Sequence, residues 1–292
     1  MSWLLYAIIG VALAGVSPVL AKSGLRKSNM NLAAAIRGTL LFLAAFIFVK
    51  ITGQSQSLTG LEHTTFLYLI FSGVATGVVW IFLLNALRSG EVIRVIPVIE
   101  ASIILELLVG IIFFQDTLHW GKIIIIALLI VGIIMVVTRK SGGRGGKRAW
   151  LGYALIAMVL TTVTVVLERI GVSGVGSDFS RLIRYGVALI LVWTVTLATG
   201  GYKGLRSMTF LDGIYLCLSG VSMGGAWYFF HLAYTYGTNA RVDMIERFDM
   251  VAAVVLGCVF LRERLSARAI FGIIFMMAGS LLLLMNLPVI PL

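Results

Sequence analysis

Charged residues and cysteines are scarce in this sequence. Charged residues make up 12% of the 292 positions and hydrophobic residues 60%, whereas a soluble domain has about 25% charged and about 45–50% apolar residues. This composition, with a mean hydropathy of +1.06, excludes a soluble enzyme, a secreted module and a disordered chain. Cys217 and Cys258 both lie in apolar runs, which excludes a disulfide framework and a zinc-type cysteine spacing.

Sequence motifs for catalysis are lacking as well. The sequence has no glycine loop with a lysine for phosphate, no nucleophile elbow and no cluster of metal ligands. We therefore expect no enzymatic activity, no cofactor and no metal. The formal net charge of +11 would suggest nucleic acid in a soluble protein. In so apolar a chain we expect no nucleic-acid partner and attribute the charge to basic loops on the cytoplasmic side of a membrane.

Long apolar runs dominate the chain. A transmembrane helix needs about 20 mostly apolar residues, and we predict ten such spans joined by short connections. No basic region precedes the first run, which favours a membrane span over a cleaved signal peptide. The predicted spans are residues 3–21, 31–49, 65–87, 92–114, 120–138, 150–167, 182–199, 211–235, 242–261 and 267–287.

The distribution of lysine and arginine predicts how the chain crosses the membrane. The loops on one side carry fourteen of these residues and the loops on the other side carry four. The most basic stretch is the glycine-containing linker 139–148 near the middle of the chain. By the positive-inside rule, this linker is cytoplasmic and both chain termini lie outside. We expect the protein in the cell membrane of a bacterium or an archaeon.

The chain matches itself when it is shifted by 147 positions. Chance matching of apolar residues does not readily give tryptophan, arginine and glycine pairs at one offset. The pairs include Trp3 with Trp150, Trp80 with Trp227, Arg37 with Arg184, Arg94 with Arg241, Gly73 with Gly220 and Gly132 with Gly279. We therefore predict a first five-helix repeat at 1–139, a basic linker at 140–149 and a second five-helix repeat at 150–292.

An odd number of spans in each repeat means that the second repeat enters the membrane from the opposite side. The predicted fold is thus an all-α membrane protein with ten transmembrane helices in two inverted five-helix repeats. Many secondary transporters have this architecture, with a substrate site near the membrane midplane between the repeats. A duplicated membrane protein without transport activity is the alternative interpretation.

Short motifs close the two repeats in the same manner. An acidic turn precedes the last span of each repeat, at 113–118 and at 260–266, and Gly132 and Gly279 lie within those last spans. Together with Pro97 in the fourth span, these motifs resemble the EamA-like branch of the drug/metabolite transporter superfamily. The resemblance implies a small-molecule transporter. It also implies cytoplasmic termini, the opposite of the charge-based prediction, and the ninth span lacks the equivalent proline.

Several predicted spans contain ionisable side chains, which cost about 2.5–3.5 kcal/mol at the bilayer centre on insertion scales. Glu100 lies about 13 Å deep at about 1.5 Å per residue, too deep for a carboxylate to reach the headgroups, and Asp249 is similarly deep. We expect both in a functional site, and a structural salt bridge is the alternative. Four arginines lie nearer to span ends, where they either reach the headgroups or line a cavity: Arg37, Arg94, Arg184 and Arg241.

The internal repeat relates Glu100 to Arg247. Equivalent positions near a two-fold axis lie close together, so we hypothesise that these side chains pair across it and that a proton or a charged substrate breaks the pair. Asp243, Glu246, Arg247 and Met250 share one face of the ninth span, and Asp249 flanks that face. This face is typical of a polar cavity wall that attracts an ammonium group, carries protons, or does both.

Aromatic side chains in two spans are further candidates. Trp227, His231 and Tyr234 share one face of the eighth span, and Trp80 in the third span is the repeat equivalent of Trp227. These side chains either line a cavity and stack on a ligand or form an interfacial belt. In a cavity, His231 would titrate near neutral pH.

These patterns together predict a secondary active transporter. It would move a small polar metabolite, zwitterionic or anionic, by alternating access, with protons as a candidate coupling ion. The alternatives are a flippase for a lipid-linked phosphate-containing headgroup and a non-transporting membrane scaffold or receptor. The expected partners are the substrate, membrane lipids and protons, and the expected assembly is a monomer or a homodimer.

Overall fold

The computed structural model describes residues 2–53, 62–116, 120–138, 149–171 and 176–286. Apart from the 3-10 helix Gly201–Arg206, the regular structure of these residues is α-helical, which confirms the predicted all-α fold. The predicted basic linker 139–148 lies outside the described residues. The helices are α1 (Ser2–Ser23), α2 (Met30–Thr52), α3 (His63–Ser89), α4 (Val92–Glu100), α5 (Ser102–Phe113), α6 (Trp120–Val137), α7 (Ala149–Gly171), α8 (Ser177–Ala198), α9 (Phe210–Tyr236), α10 (Asn239–Glu246), α11 (Asp249–Phe260) and α12 (Ala267–Asn286).

Helices occupy all ten predicted spans. Eight segments are long and apolar enough to cross a membrane, with α4 and α5 counted together as one. The other two predicted spans correspond to α9 and to α10 with α11. The protein is therefore an integral membrane protein with multiple spans.

The second half of the chain is inverted relative to the first. Gly10 near the start of α1 lies against Phe230 near the end of α9, and Gly24 after α1 lies against Leu216 near the start of α9. These contacts make α1 and α9 antiparallel. The first and third helices run in the same direction because α2 reverses the chain between them. The ninth helix, which is the repeat equivalent of α3, therefore runs opposite to it.

Equivalent glycines make equivalent contacts in the two halves. A Cβ added to Gly73 of α3 would lie 2.6 Å from Val187 Cβ of α8, and a Cβ added to Gly220 of α9 would lie 2.6 Å from Leu40 Cβ of α2. The four residues are two pairs related by the 147-residue shift. Glycine is required here because the helix backbones approach too closely for any side chain.

Two spans that the sequence predicted as continuous helices are broken. The fourth span is divided at Ala101 into α4 and α5, and the ninth is divided at 247–248 into α10 and α11. The predicted single face of Asp243, Glu246 and Arg247 is therefore interrupted after Glu246. A broken helix at membrane depth is tolerated where its backbone lines a cavity or is buried in protein, and discontinuous helices of this kind form the sites of many transporters.

The two ends of the helical bundle carry different connections. We call the end where α1 begins and α12 finishes the terminal end. The opposite end, where α6 finishes and α7 begins, is called the linker end. The turns after α1, α3 and α11 lie at the linker end, and the turns after α5, α7 and α9 lie at the terminal end.

Candidate substrate cavity

A cavity of about 360 Å³ lies between the two repeats. Its volume falls within the range of about 300–1,000 Å³ that is typical of small-molecule sites. Much of its wall is apolar, with side chains such as Leu41, Leu83 and Met223. Its polar side chains include Ser17, Arg37, Thr76, Glu100, Thr161, Thr164, Glu168, Arg184, Tyr185 and Asp249.

Arg37 of α2 carries a buried positive charge on the cavity wall. The residue is 5% exposed, so it does not reach toward the headgroups. Its Nε donates to Ser219 Oγ at 3.0 Å and its Nη2 donates to Ser17 Oγ at 3.2 Å. Both serines are neutral, so these hydrogen bonds orient the guanidinium and leave its charge in place. Such a group binds a carboxylate or a phosphate.

Arg184 of α8 is the repeat equivalent of Arg37 but has an acidic partner. Its Nη1 donates to Glu168 Oε2 at 2.5 Å, and the Arg184 side chain is 11% exposed. Its Nε is buried and has no hydrogen-bond partner among the described residues. A buried donor of this kind is costly unless a ligand or water accepts from it. In the first repeat, Ala21 occupies the position of Glu168, so Arg37 lacks the equivalent carboxylate.

Three aromatic rings form one wall of the cavity. Tyr185 lies between the repeat-related tryptophans, with its ring centroid 5.4 Å from Trp80 and 4.9 Å from Trp227. The repeat equivalent of Tyr185 is Gly38, where an added Cβ would lie 2.6 Å from the Trp80 ring. The aromatic wall is therefore built from one tyrosine and two tryptophans, and it offers an apolar surface to the apolar part of a ligand.

The breaks in the fourth and ninth spans bring acidic side chains to the cavity. Glu100 ends α4 and Asp249 begins α11, and both line the cavity. Arg247, between α10 and α11, has its Nη1 4.0 Å from Glu100 Oε2, and both side chains are about one third exposed, at 35% and 37%. An ion pair of this length and exposure is weak, so a ligand or a proton can replace it.

Asp243 and Glu246 contact Tyr234 instead of the cavity. The Tyr234 hydroxyl lies 2.5 Å from Asp243 Oδ1 and 2.7 Å from Glu246 Oε2. A phenol has one proton to donate. The hydroxyl therefore donates to one of these carboxyl groups at a time, and it links Asp243 to Glu246 within the ninth span.

His231 is not among the described residues that line the cavity and instead contacts α8 and α2. Its Nδ1 is 3.3 Å from Asp178 Oδ2, and its ring centroid is 4.8 Å from that of Phe48. The shared helix face that the sequence predicted for Trp227, His231 and Tyr234 thus divides among three environments: the cavity, Asp178 and the carboxyl cluster.

The remaining pair of candidate arginines is separate from the cavity. The Nε of Arg94 lies 3.1 Å from Glu91 Oε2, and its guanidinium carbon is 5.9 Å from the centroid of the Trp150 ring. Its repeat equivalent, Arg241, is exposed. Among the sequence-predicted candidates, the structure brings to the cavity Arg37, Arg184, Glu100, Asp249, Trp80 and Trp227.

The sequence pattern does not indicate several polar residues of the cavity. The predicted sixth span ends at residue 167, one position before Glu168, so the pattern does not place this charge within the membrane. Tyr185 follows Arg184 directly, and the equivalent position of the first repeat is Gly38. This difference between the repeats was the available sign that Tyr185 has a role of its own. Ser17 gives no signal in one sequence, because serine is common in helix interfaces of membrane proteins.

The inverted halves and the cavity between them define the class of inverted-repeat membrane transporters. The chain belongs to the EamA-like transporter family, whose model matches residues 1–138 and again residues 148–285. The predicted resemblance is thereby confirmed. This is a family of transporters, which normally have no enzymatic activity.

Two further comparisons agree with the family and the fold. The chain is 31% identical over 137 residues to an "Uncharacterized transporter in cobO 3'region" of Sinorhizobium sp, an alignment that covers 47% of this chain and 97% of that protein. A solved structure described as "Crystal structure of protein" superposes on 95% of this chain and 95% of its own, with a TM-score of 0.63 and 14% identity. At that identity the superposition shows the fold alone.

Proposed function

We propose that this protein is a secondary active transporter that moves a small zwitterionic or anionic metabolite by alternating access. The cavity of about 360 Å³ between the repeats is the observation that carries the proposal. Substrate sites of inverted-repeat transporters lie between the repeats, near the midplane. The family membership supports transport as the activity, and the cavity chemistry supports the substrate class.

The charges around the cavity favour a substrate with an anionic group. Arg37 has neutral hydrogen-bonding partners, and Arg184 has a buried Nε that can donate to a ligand. A carboxylate or phosphate oxygen would accept from both. Glu100 and Asp249 would attract an ammonium group on the same molecule. A site of this volume suits a small metabolite better than a lipid-linked headgroup, so we favour a metabolite transporter over a flippase.

Protons are the proposed coupling ion. Intramembrane carboxyl groups commonly form proton relays in transporters. Glu100 faces the cavity, and the Tyr234 hydroxyl links two further carboxyl groups of the ninth span, those of Asp243 and Glu246. In this scheme, Glu100 exchanges its contact with Arg247 for a proton as the transporter changes state.

We propose that the linker end faces the cytoplasm. Basic side chains at this end include Lys22, Arg26, Lys27, Arg88, Lys203, Arg206, Arg262, Arg264 and Arg268. A cysteine introduced at Gly143 should resist an impermeant thiol reagent in intact cells, whereas a cysteine added after Leu292 should react. The reverse pattern would establish cytoplasmic termini and contradict the charge-based orientation.

Reconstitution into liposomes tests the proposed function. Purified protein is first screened for thermal stabilisation by amino acids, carboxylic acids and phosphorylated metabolites, and the stabilising compounds are then tested for uptake. We expect uptake that Arg37→Gln lowers roughly 100-fold. The control Arg206→Gln, which changes an exposed arginine of the 3-10 helix, should retain it. Equal uptake in liposomes with and without protein for every stabilising compound would contradict the proposal.

A further inference from the structure

Two ion pairs related by the internal repeat lie at opposite ends of the molecule. At the linker end, Lys22 Nζ of α1 is 2.6 Å from Glu263 Oε1 in the turn after α11. At the terminal end, Arg169 Nη2 of α7 is 3.7 Å from Asp116 Oδ1 in the turn after α5. The 147-residue shift converts Lys22 into Arg169 and Asp116 into Glu263. Each pair joins the first helix of one repeat to the acidic turn of the other repeat.

The linker-end pair is short, buried and extended by backbone contacts. The Glu263 side chain is 6% exposed. Its Oε1 accepts from Val92 N–H at 3.0 Å and its Oε2 accepts from Ile93 N–H at 3.1 Å. These amides belong to the first turn of α4, whose N–H groups have no partner within the helix. Lys22 Nζ also donates to the Gly90 carbonyl at 2.6 Å, so one cluster joins α1, the start of α4 and the turn after α11.

The terminal-end pair is longer and open to solvent. The Asp116 side chain is 33% exposed and the Arg169 side chain 48% exposed. Asp116 Oδ2 is also 3.9 Å from Lys122 Nζ. The helix starts near the two pairs also differ in exposure. Asn239 at the start of α10 is exposed, whereas its repeat equivalent Val92 at the start of α4 is 0% exposed.

Burial of the residues beside the two ion pairs follows the same asymmetry. Ala21, one residue before Lys22, is 0% exposed. Its repeat equivalent Glu168, one residue before Arg169, lines the cavity and its side chain is 35% exposed. The position beside the linker-end pair is therefore buried, whereas the equivalent position beside the terminal-end pair is accessible.

We propose that the Lys22–Glu263 and Arg169–Asp116 pairs are reciprocal locks, so that one is closed when the other is open. This inference rests on the proposed alternating-access transport. The structure has the linker-end lock closed and the terminal-end lock open. When an inverted-repeat transporter changes state, the two repeats exchange conformations. Each residue then has the surroundings that its repeat equivalent has in the present structure, and this identifies the contacts of the opposite state.

In that opposite state, the terminal-end lock gains the contacts that the linker-end lock loses. Asp116 accepts from the first-turn N–H groups of α10, and Arg169 donates to the carbonyl of Gly237, the repeat equivalent of Gly90. Glu263 releases the first turn of α4, and Lys22 separates from it. Because hydrogen bonds to ionised groups are stronger than neutral ones, each lock holds its own end closed.

Cysteine labelling can follow the two ends separately. In a protein with Cys217→Ala and Cys258→Ala, one reporter is Ala21→Cys, at a buried position directly before Lys22 in the chain. The other is Val165→Cys, on the cavity wall toward the terminal end. The rate of maleimide labelling of each reporter is measured in reconstituted protein without substrate.

Removing the charge of Glu263 should move the two reporters in opposite directions. Glu263→Gln should raise the labelling rate of Ala21→Cys at least roughly tenfold and lower that of Val165→Cys, since the lost contacts are charge-assisted. Asp116→Asn is the matched control at the other end and should leave Ala21→Cys protected and Val165→Cys reactive. Lys22→Gln should have the same effect as Glu263→Gln. It replaces Glu263→Gln as the test variant if that protein does not fold.

Three outcomes decide the inference. A higher labelling rate of Ala21→Cys and a lower rate of Val165→Cys in Glu263→Gln, with both rates unchanged in Asp116→Asn, support it. An unchanged Ala21→Cys rate in folded Glu263→Gln and Lys22→Gln, or the same response to Glu263→Gln and Asp116→Asn, overturns it. Labelling needs no substrate, so the two proposals can fail separately. Metabolite uptake with unchanged labelling rates would reject the locks and leave the proposed function intact. The predicted labelling changes without any metabolite uptake would reject the transport proposal alone.

Discussion

The two arginines that face the central cavity occupy the same position in the two repeats but have different partners. Arg37 donates hydrogen bonds to two neutral serines, whereas Arg184 donates to the carboxylate of Glu168. The difference arises because the first repeat has Ala21 where the second has Glu168. A duplicated fold therefore places equivalent charges symmetrically, and one unequal neighbour decides whether each charge is available to a ligand.

The two broken spans make a second comparison. The breaks occur at Ala101 and Phe248, which the 147-residue shift relates to each other. The first repeat has Pro97 four residues before its break, and the second repeat has Met244 at that position. Proline is therefore not required for the break. What the two sites share is a charged side chain at the break: Glu100 is the last residue of α4, and Arg247 directly follows α10.

The largest expected effect tests the comparison of the arginines. Arg37→Gln should lower the initial uptake rate roughly 100-fold and Arg184→Gln roughly 10-fold, since hydrogen bonds to charged groups are worth about 1.5–3 kcal/mol and Glu168 already neutralises part of the Arg184 charge. The rates are compared at equal amounts of folded protein in liposomes. If Arg184→Gln loses more uptake than Arg37→Gln, then Arg184 is the main anion-binding residue despite its ion pair with Glu168.

An intermediate effect is expected where the two broken helices meet. Glu100→Gln should lose pH-driven uptake and keep the exchange of substrate across the membrane, because the amide retains the size of the side chain but cannot release a proton. Uptake driven by a pH gradient and counterflow without a gradient are measured on the same liposomes. Equal pH-dependent uptake in the wild type and in Glu100→Gln would transfer the coupling role to Asp249 or to the Tyr234 cluster.

The smallest effect is expected from the residue that distinguishes the two breaks. Pro97→Ala should change the uptake rate less than about threefold and preserve the break at Ala101, since the second repeat breaks at the equivalent position without proline. A proline within a helix costs about 3 kcal/mol relative to alanine when the helix is otherwise regular, so unchanged or slightly raised thermal stability is expected. A continuous helix across Ala101 with loss of transport would show that Pro97 creates the first break.

Several features of the site followed from the repeat alone. The shift that relates Glu100 to Arg247 predicted their proximity, and the atoms lie 4.0 Å apart in the structure. The roles of these residues stay predictions. The contact of Tyr234 with Asp243 could not be predicted from the sequence, because it depends on how α9 and α10 are rotated relative to each other. The spacing of aromatic residues along α9 alone did not reveal it.

By itself the sequence determined the membrane class, the helical spans and the inverted duplication. Hydropathy and an odd number of spans per repeat are properties of the chain that do not depend on how helices pack. Only the tertiary structure decided where two spans break, which arginine keeps neutral hydrogen-bonding partners and which of the two repeat-related ion pairs is the shorter. These features depend on the rotation and axial offset of neighbouring helices. Apolar residues surround each span on nearly all sides, so the sequence pattern does not specify which face of a helix meets its neighbour.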